Sequence, residues 1–465
     1  MADFEAALAE VLTTRVAGVQ SLVSCERLSG GASQETYRLV VATDQGDQRL
    51  CMRRAPGGER VETLGVNPGL AVEARLMQLA REAGVPEPDV KYVLEEGDGL
   101  GEGFIMEWLD GEALGARIVR APELDGIRPE LSRLCGEALA RIHAIDVKAT
   151  GLDKVLHEVT PELYVEQTWE RYKAFETSQP MIDYAGRWLL DNLPEGFDYT
   201  LVHNDFRNGN IMFSPEGIVA VLDWELAHIG DPMRDLGWIC TNSWRFGRTD
   251  LPVGGFGSYE DLFEGYERVS GTPVDRDRVK FWEVFGSFWW AVGCLGMAEH
   301  YRNGPDKTVE RPAIGRRSSE CQVDCVNLLI PGPVDLVSAD ETDDCDMPRI
   351  DELVVSVRNF LREDVMAQTE GRTNFMARVA GNSLDIVLRD LALGEKSRAQ
   401  ELSRLQSVLG RSGTLAELRG ELVRRLRDGE ISLDNETLTH HLRQTVVNQV
   451  AIDQPKYSGF KTATQ

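Results

Sequence analysis

Cationic side chains are in short supply: 50 lysines and arginines face 76 carboxylates, a net charge of −26 at pH 7. That balance argues against binding a nucleic-acid backbone or an anionic membrane surface. Long apolar runs are also missing. The longest, Val284–Ala298, is roughly fifteen residues and broken by glycine, short of the ~20 a membrane span needs. It reads as a buried helix. The opening MADFEAALAEVL is acidic and amphipathic, without a basic stretch ahead of an apolar one, so no secretory signal is expected. The eight cysteines are scattered, and only Cys321 and Cys325 stand close. At i, i+4 on a helix they read as core thiols and not as half a zinc site. Reduced thiols and a cytoplasmic location are therefore expected.

What is present is enough material for several cores. A chain of 465 residues with 42% hydrophobic and 27% charged side chains reads as a soluble globular protein of two or three domains. Its most informative stretch is LVHNDFRNGNIMFSPEGIVAVLDWELAHIGDPMRDLG, Leu201 to Gly237. Two apolar runs, Ile211–Phe213 and Ile218–Leu222, flank Ser214-Pro215-Glu216-Gly217, which predicts a tight turn between short strands. Asp205, Asn210 and Asp223 then lie on strand ends brought together by one hairpin.

Phosphoryl transfer from ATP needs such a set. One carboxylate, Asp205, orients the attacking hydroxyl and accepts its proton, while an amide oxygen and a second carboxylate, Asn210 and Asp223, hold Mg²⁺ through hard oxygen ligands. The spacing His203-x-Asp205-x-x-x-x-Asn210 matches the catalytic loop of protein kinases, with Asp223 where a second metal-binding aspartate stands. The plainer alternative makes Asp205 and Asn210 turn and cap residues of an ordinary hairpin. A strand and Asp223 following at the right distance favour the chemical reading.

On these residues the segment resembles the aminoglycoside phosphotransferase family, kinase-like enzymes acting on small molecules. It is most similar to the branch fused to acyl-CoA dehydrogenases. Gly230-Asp231-Pro232 followed by Asp235-Leu236 continues that resemblance, making Asp231 and Asp235 supporting residues, with His203 bracing the loop. Asn204 departs from the pattern, which usually has glycine beside the catalytic aspartate.

The chain upstream supplies the remaining parts. Residues 2–18 read as a helix carrying Phe4, Leu8, Val11 and Leu12 on one face. A strand, a Gly30-Gly31 loop with Ser33, and a second strand follow; glycines let backbone amides approach phosphates. The resemblance implies that this loop covers the nucleotide. The next strand ends in Arg53, where kinases carry an ATP-pairing lysine. Arginine pairs with phosphate as a planar fork instead of a point charge. Ala71–Ala83 is a helix with Glu73 in its first turn, placed to hold Arg53 or simply to meet the helix dipole. Met106, Glu107 and Trp108 lie where a strand runs into a linker, the segment that binds adenine through its backbone in the family. A helix from Arg128 to Ile145 carries His143, read as a packed helix-end residue. The resemblance implies that residues 160–195 help to form the acceptor pocket, with substrate specificity expected there and in 240–315, and Tyr301-Arg302 and Arg316-Arg317 read as solvated surface.

Proline, glycine and five acidic groups within Asp340–Asp346 mark residues 331–348 as an acidic linker. Five amphipathic helices are expected beyond it. One of them, Leu415–Leu426, sits behind a Thr414-x-x-Glu417 capping box, and Leu402, Leu405 and Leu409 mark another as a separate element. His440 and His441 are adjacent and point about 100° apart, which is not a metal-ligand spacing.

The expected fold is α+β: a bilobal protein-kinase-like fold, with an antiparallel-sheet N-lobe over 1–106 and a mainly helical C-lobe over 107–330. The acidic linker 331–348 and a helical bundle over 349–465 follow. The expected activity is ATP- and Mg²⁺-dependent transfer of a phosphoryl group to the hydroxyl of a small molecule. The resemblance implies a hydroxyacyl-CoA-type acceptor, with an aminoglycoside or amino-alcohol as the alternative. A third reading, of another class, is a pseudokinase scaffold acting through the helical tail, where a protein partner or self-association is expected.

Overall fold

Strand-forming residues near the start alternate as a half-buried sheet requires. A computed structural model describes residues 2–28, 34–58, 67–339 and 346–465. Helix α1 (Ala2–Arg15) lays Leu8, Val11 and Leu12 against strands β1 (Val19–Arg27), β2 (Glu35–Thr43) and β3 (Gly46–Arg54). In β2 every second residue from Tyr37 to Val41 is buried, the period of a strand with one face on a core. Helix α2 (Leu70–Glu82) precedes β4 (Val90–Val93) and β5 (Gly103–Glu107), completing an antiparallel sheet of order β1-β2-β3-β5-β4. The pairing sets Arg53 opposite Phe104 and Thr36, at the end of the sheet's middle strand. The Gly30, Gly31 and Ser33 loop lies outside the described residues.

A short turn α3 (Gly115–Ile118) leads to α4 (Leu131–His143), followed by α5 (Pro161–Lys173) and α6 (Pro180–Asp191). Then come β6 (Thr200–Val202), β7 (Ile211–Ser214), β8 (Gly217–Val221) and β9 (His228–Gly230). β7 and β8 form the expected hairpin, and β6 pairs antiparallel with β9. Helices α7 (Met233–Cys240), α8 (Tyr259–Ser270) and α9 (Arg276–Asn303) continue the chain. The run Val284–Ala298 lies inside α9, and no helix among the described residues is long and apolar enough to cross a membrane.

The chain divides into two compact units, residues 1–160 with 195–282, and residues 161–194 with 283–465. This partition differs from the linear segments read from composition, because α5 and α6 group with the C-terminal helices. The second unit adds α10 (Glu310–Arg316), α11 (Ser318–Leu329), α12 (Ile350–Asn359), a π-helical stretch Phe360–Val365 ending in α13 (Met366–Gln368), α14 (Gly371–Leu409), α15 (Leu415–Arg427), α16 (Glu436–Asp453) and α17 (Ser458–Thr464). The segment bearing Leu402, Leu405 and Leu409 is not a separate helix. It is the end of α14, 39 residues long, because nothing between Gly371 and Gly410 stops the helix; Gly394 is tolerated within it. The Thr414–Glu417 capping box is formed in both directions. Cys321 and Cys325 are buried, and burial pushes both thiols up, as core residues require. Arg316 and Arg317 are exposed, as read, and each also reaches a buried carboxylate, Asp453 and Glu320.

Candidate active site

The loop between β6 and β7 is held from beneath by one buried carboxylate. Asp235, in the first turn of α7, accepts hydrogen bonds from the backbone N–H groups of His203 (2.8 Å) and Asn204 (2.7 Å). His143 Nε2 lies 3.1 Å from it, and Tyr266 caps the other ring nitrogen at 3.0 Å. Burial alone would raise the Asp235 carboxyl, but its bond and charge contact with His143, and then His203, hold it below its ordinary value. His143 is thus a packed helix-end residue with a defined structural task.

Asn204 adopts φ +68°, the left-handed region that favours glycine and that asparagine tolerates. Its Oδ1 accepts from Arg234 Nε at 2.9 Å. Asparagine therefore keeps the backbone shape that glycine would give and adds a tether. His203 is fully buried. Its Nδ1 accepts from the Asp205 N–H at 3.2 Å, which leaves Nε2 protonated and donating to the Leu222 carbonyl at 3.2 Å. Burial lowers its basicity further, so the ring is a neutral brace between the loop and the segment carrying Asp223.

Asp205 receives four hydrogen bonds on its two carboxylate oxygens. Asn210 Nδ2 donates at 2.6 Å, Trp238 Nε1 at 2.8 Å, and Arg207 at 3.0 and 3.2 Å. Arg207 in turn stacks on Trp244, 4.4 Å from the ring centre. Neither Arg207 nor Trp238 was legible as an Asp205 partner. Arg207 is only two residues from the aspartate, but no local pattern shows its guanidinium folding back, and Trp238 arrives from α7 through tertiary packing. The Leu222 N–H donates to the Asn210 carbonyl at 2.7 Å, setting Asn210 beside the residue that precedes Asp223. Asp223 itself has φ +71°, a strained backbone of the kind that clusters at functional sites.

The third part comes from the sheet. Arg53 bonds Asp223 Oδ1 at 2.8 Å and faces Glu73 at 3.6 Å, while Gln34 donates to Glu73 at 3.0 Å. Burial pushes the Glu73 carboxyl up to about 7 even though Arg53 opposes the shift. Arg53, Glu73 and Asp223 are thus one cluster, and Arg53 bridges two carboxylates where the sequence suggested one. Met106 pairs with Cys51 and Val90 inside the sheet; Glu107 ends β5; the Trp108 indole donates to Asp110 at 3.0 Å. Asp231 takes other partners: Arg278, the Trp282 indole at 2.7 Å and the Met233 N–H at 2.9 Å. It locks the start of α7 onto α9.

The donor set suits Mg²⁺ better than a transition metal. One carboxylate and one amide oxygen are the sparse hard ligands Mg²⁺ takes when phosphates and water complete its shell.

Residues 24–272 match the phosphotransferase enzyme family (APH). The chain belongs to this family. Residues 367–457 match a domain of unknown function, DUF6285. This phosphotransferase-family chain is 32% identical over 276 residues to acyl-CoA dehydrogenase family member 10 of Mus musculus, covering 56% of the chain and 25% of that protein. It is 27% identical over 300 residues to acyl-CoA dehydrogenase family member 11 of Gallus gallus, covering 61% and 37%. The matched region thus spans only 25% and 37% of these relatives. A candidate aminoglycoside phosphotransferase from Ralstonia eutropha matches with TM-score 0.56 at 24% identity, over 70% of this chain and 97% of its own. That likeness establishes the kinase-like fold: an antiparallel sheet, a helical remainder and, here, an added helical domain.

Proposed function

We propose that this phosphotransferase transfers the γ-phosphoryl group of ATP to the hydroxyl of a small molecule, with a hydroxyacyl-CoA-type acceptor as first choice. The observation that carries this reading is the pair of linked clusters, Asp205 with Asn210 and Asp223 with Arg53 and Glu73, joined by one hairpin. Asp205 orients the acceptor hydroxyl and takes its proton, with Trp238 and Asn210 fixing the carboxylate plane. Arg207 shifts from Asp205 toward the phosphate as the acceptor arrives, moving positive charge to where negative charge develops. Asn210 and Asp223 would hold Mg²⁺, which would neutralise charge on the phosphates. Arg53 releases Asp223 and turns to phosphate while Glu73 keeps it aimed. Positioning and charge neutralisation dominate this reaction class.

The acyl-CoA choice rests on the names of the relatives, both acyl-CoA dehydrogenase family members. An aminoglycoside or amino-alcohol acceptor is the alternative within the class. A pseudokinase reading draws on one observation: arginines already occupy both key carboxylates, Asp205 and Asp223. The exposed apolar side chains Leu353, Val357, Phe360, Phe375 and Leu391 support a docking role for residues 349–465 in any of these readings. ADP release from Mg²⁺-ATP, measured against hydroxyacyl-CoAs, choline-like alcohols and aminoglycosides, separates them. A hydroxyacyl-CoA that alone accelerates release supports the first choice. Tight Mg²⁺-ATP binding with silence across the panel favours the pseudokinase.

A further inference from the structure

Within the second unit, the starts of two helices and three C-terminal helices line a half-open cavity of about 240 Å³, room for several water molecules. His441 of α16 lines it. The side chain is 1% exposed, yet neither ring nitrogen has a hydrogen-bond partner. Leaving a buried polar group unpaired carries a desolvation cost, so such a group calls for a partner.

The charges around the ring say what kind. Four charged side chains line the cavity and are mutually engaged: Arg419 of α15 grips Glu401 of α14 through bonds of 2.6 and 2.5 Å, and Arg316 reaches Asp453 at 3.2 Å. Beside them stand the imidazole, the neutral side chains of Gln322, Thr445 and Gln449, and the first turns of α6 and α11. Ser178–Met181 and, at the other turn, Arg316, Ser318 and Ser319 line the cavity, and neither helix has a side-chain cap. Helix starts present N–H groups and the positive end of the dipole, which favour an anion. The field at His441 has the same sign: burial first, then Arg404, Arg419 and His440, lower the ring to about 3 and keep it neutral. A neutral imidazole offers one N–H and one lone pair, so its complement both accepts and donates.

We propose that this cavity binds a small hydroxylated oxyanion, a short hydroxy acid or a hydrogen phosphate, held at His441 between the starts of α6 and α11. The site lies wholly in the second unit and is independent of the phosphotransfer reading. It gives the helical domain a ligand-binding task.

The full chain, labelled in its histidines, tests this by NMR, the His441 ring signals being identified by their loss in His441→Phe. Inorganic phosphate, 3-hydroxybutyrate and, as a neutral control, glycerol are titrated in turn. Because the readout is the His441 ring, phosphate bound at a nucleotide site does not register. Saturable movement with phosphate alone identifies a phosphate group as the ligand, and movement with 3-hydroxybutyrate alone a hydroxy acid. By calorimetry His441→Phe weakens that binding roughly tenfold or more, the loss expected of a hydrogen bond to a charged group. His441→Gln, which keeps a donor and an acceptor, retains most of it. His441→Gln also carries the comparison if the phenylalanine variant does not fold. If neither anion moves the ring signals, or glycerol moves them equally, the cavity holds only water and the proposal fails.

Discussion

Replacing Glu73 with glutamine separates what the site costs in stability from what it gives in function. Glu73 is buried, Arg53 is the cation that faces it among the described residues, and burial pushes its carboxyl up to about 7 from the ordinary 4.5. A carboxyl raised on folding binds its proton more tightly in the folded state, so stability is greatest below about 4.5 and falls as pH climbs to about 7. At about 1.36 kcal/mol per pH unit the loss is roughly 3 kcal/mol, with the attraction of Arg53 already contained in it. Glutamine has no proton to lose and can still accept from Gln34. Glu73→Gln should therefore match the natural chain near pH 5 and exceed it by roughly 3 kcal/mol near pH 8. The assay is urea unfolding at both pH values, following the transition that shifts when ADP is added, since a chain of two units need not unfold in one step. Nucleotide affinity should move the other way, falling roughly tenfold as Arg53 loses its anchor. A stability difference between the two proteins that does not change with pH would refute the assignment of a raised carboxyl.

Asp223→Ala should remove the Mg²⁺ dependence of nucleotide binding, measured by calorimetry with and without the metal, because one of its two protein oxygens is gone. Asp235→Asn leaves an amide N–H facing the donors of His203, Asn204 and His143; it should cost about 3 kcal/mol or more in urea unfolding. Asn204→Ala should cost roughly 1–2 kcal/mol at φ +68°, whereas Asn204→Gly should cost less, as thermal unfolding would register.

The parts of the fold that were legible in the sequence are those where chemistry or periodicity dictates spacing. The β7–β8 hairpin follows from its Ser-Pro-Glu-Gly turn, and α1 and α2 from their apolar stripes. The nearness of Asp205 and Asn210 follows from a five-residue offset that one loop can close, though the bond from the Asn210 amide to the carboxylate was not read from it. Arg53 was visible as the end of a strand, but its bond to Asp223, 170 residues away, depends on the packing of the sheet against the loop. The same holds for Trp238 on Asp205. Helix α14 was read as two because leucine periodicity marks a face and not an end; only a stop such as Gly410 ends it. His441 was visible only as one of two adjacent histidines without metal-ligand spacing; a histidine on an apolar helix face looks the same whether its partner is a backbone carbonyl or a ligand.

The central claim is that Asp205 directs phosphoryl transfer to a hydroxyl. ³¹P NMR of the natural chain and of Asp205→Asn, each with Mg²⁺-ATP and the acceptor that releases most ADP, tests it directly. The account predicts a new phosphate-ester signal growing with the natural chain and slowed by roughly 10²–10⁴-fold in the variant, with nucleotide affinity unchanged. An ester formed at the same rate by both proteins would contradict it.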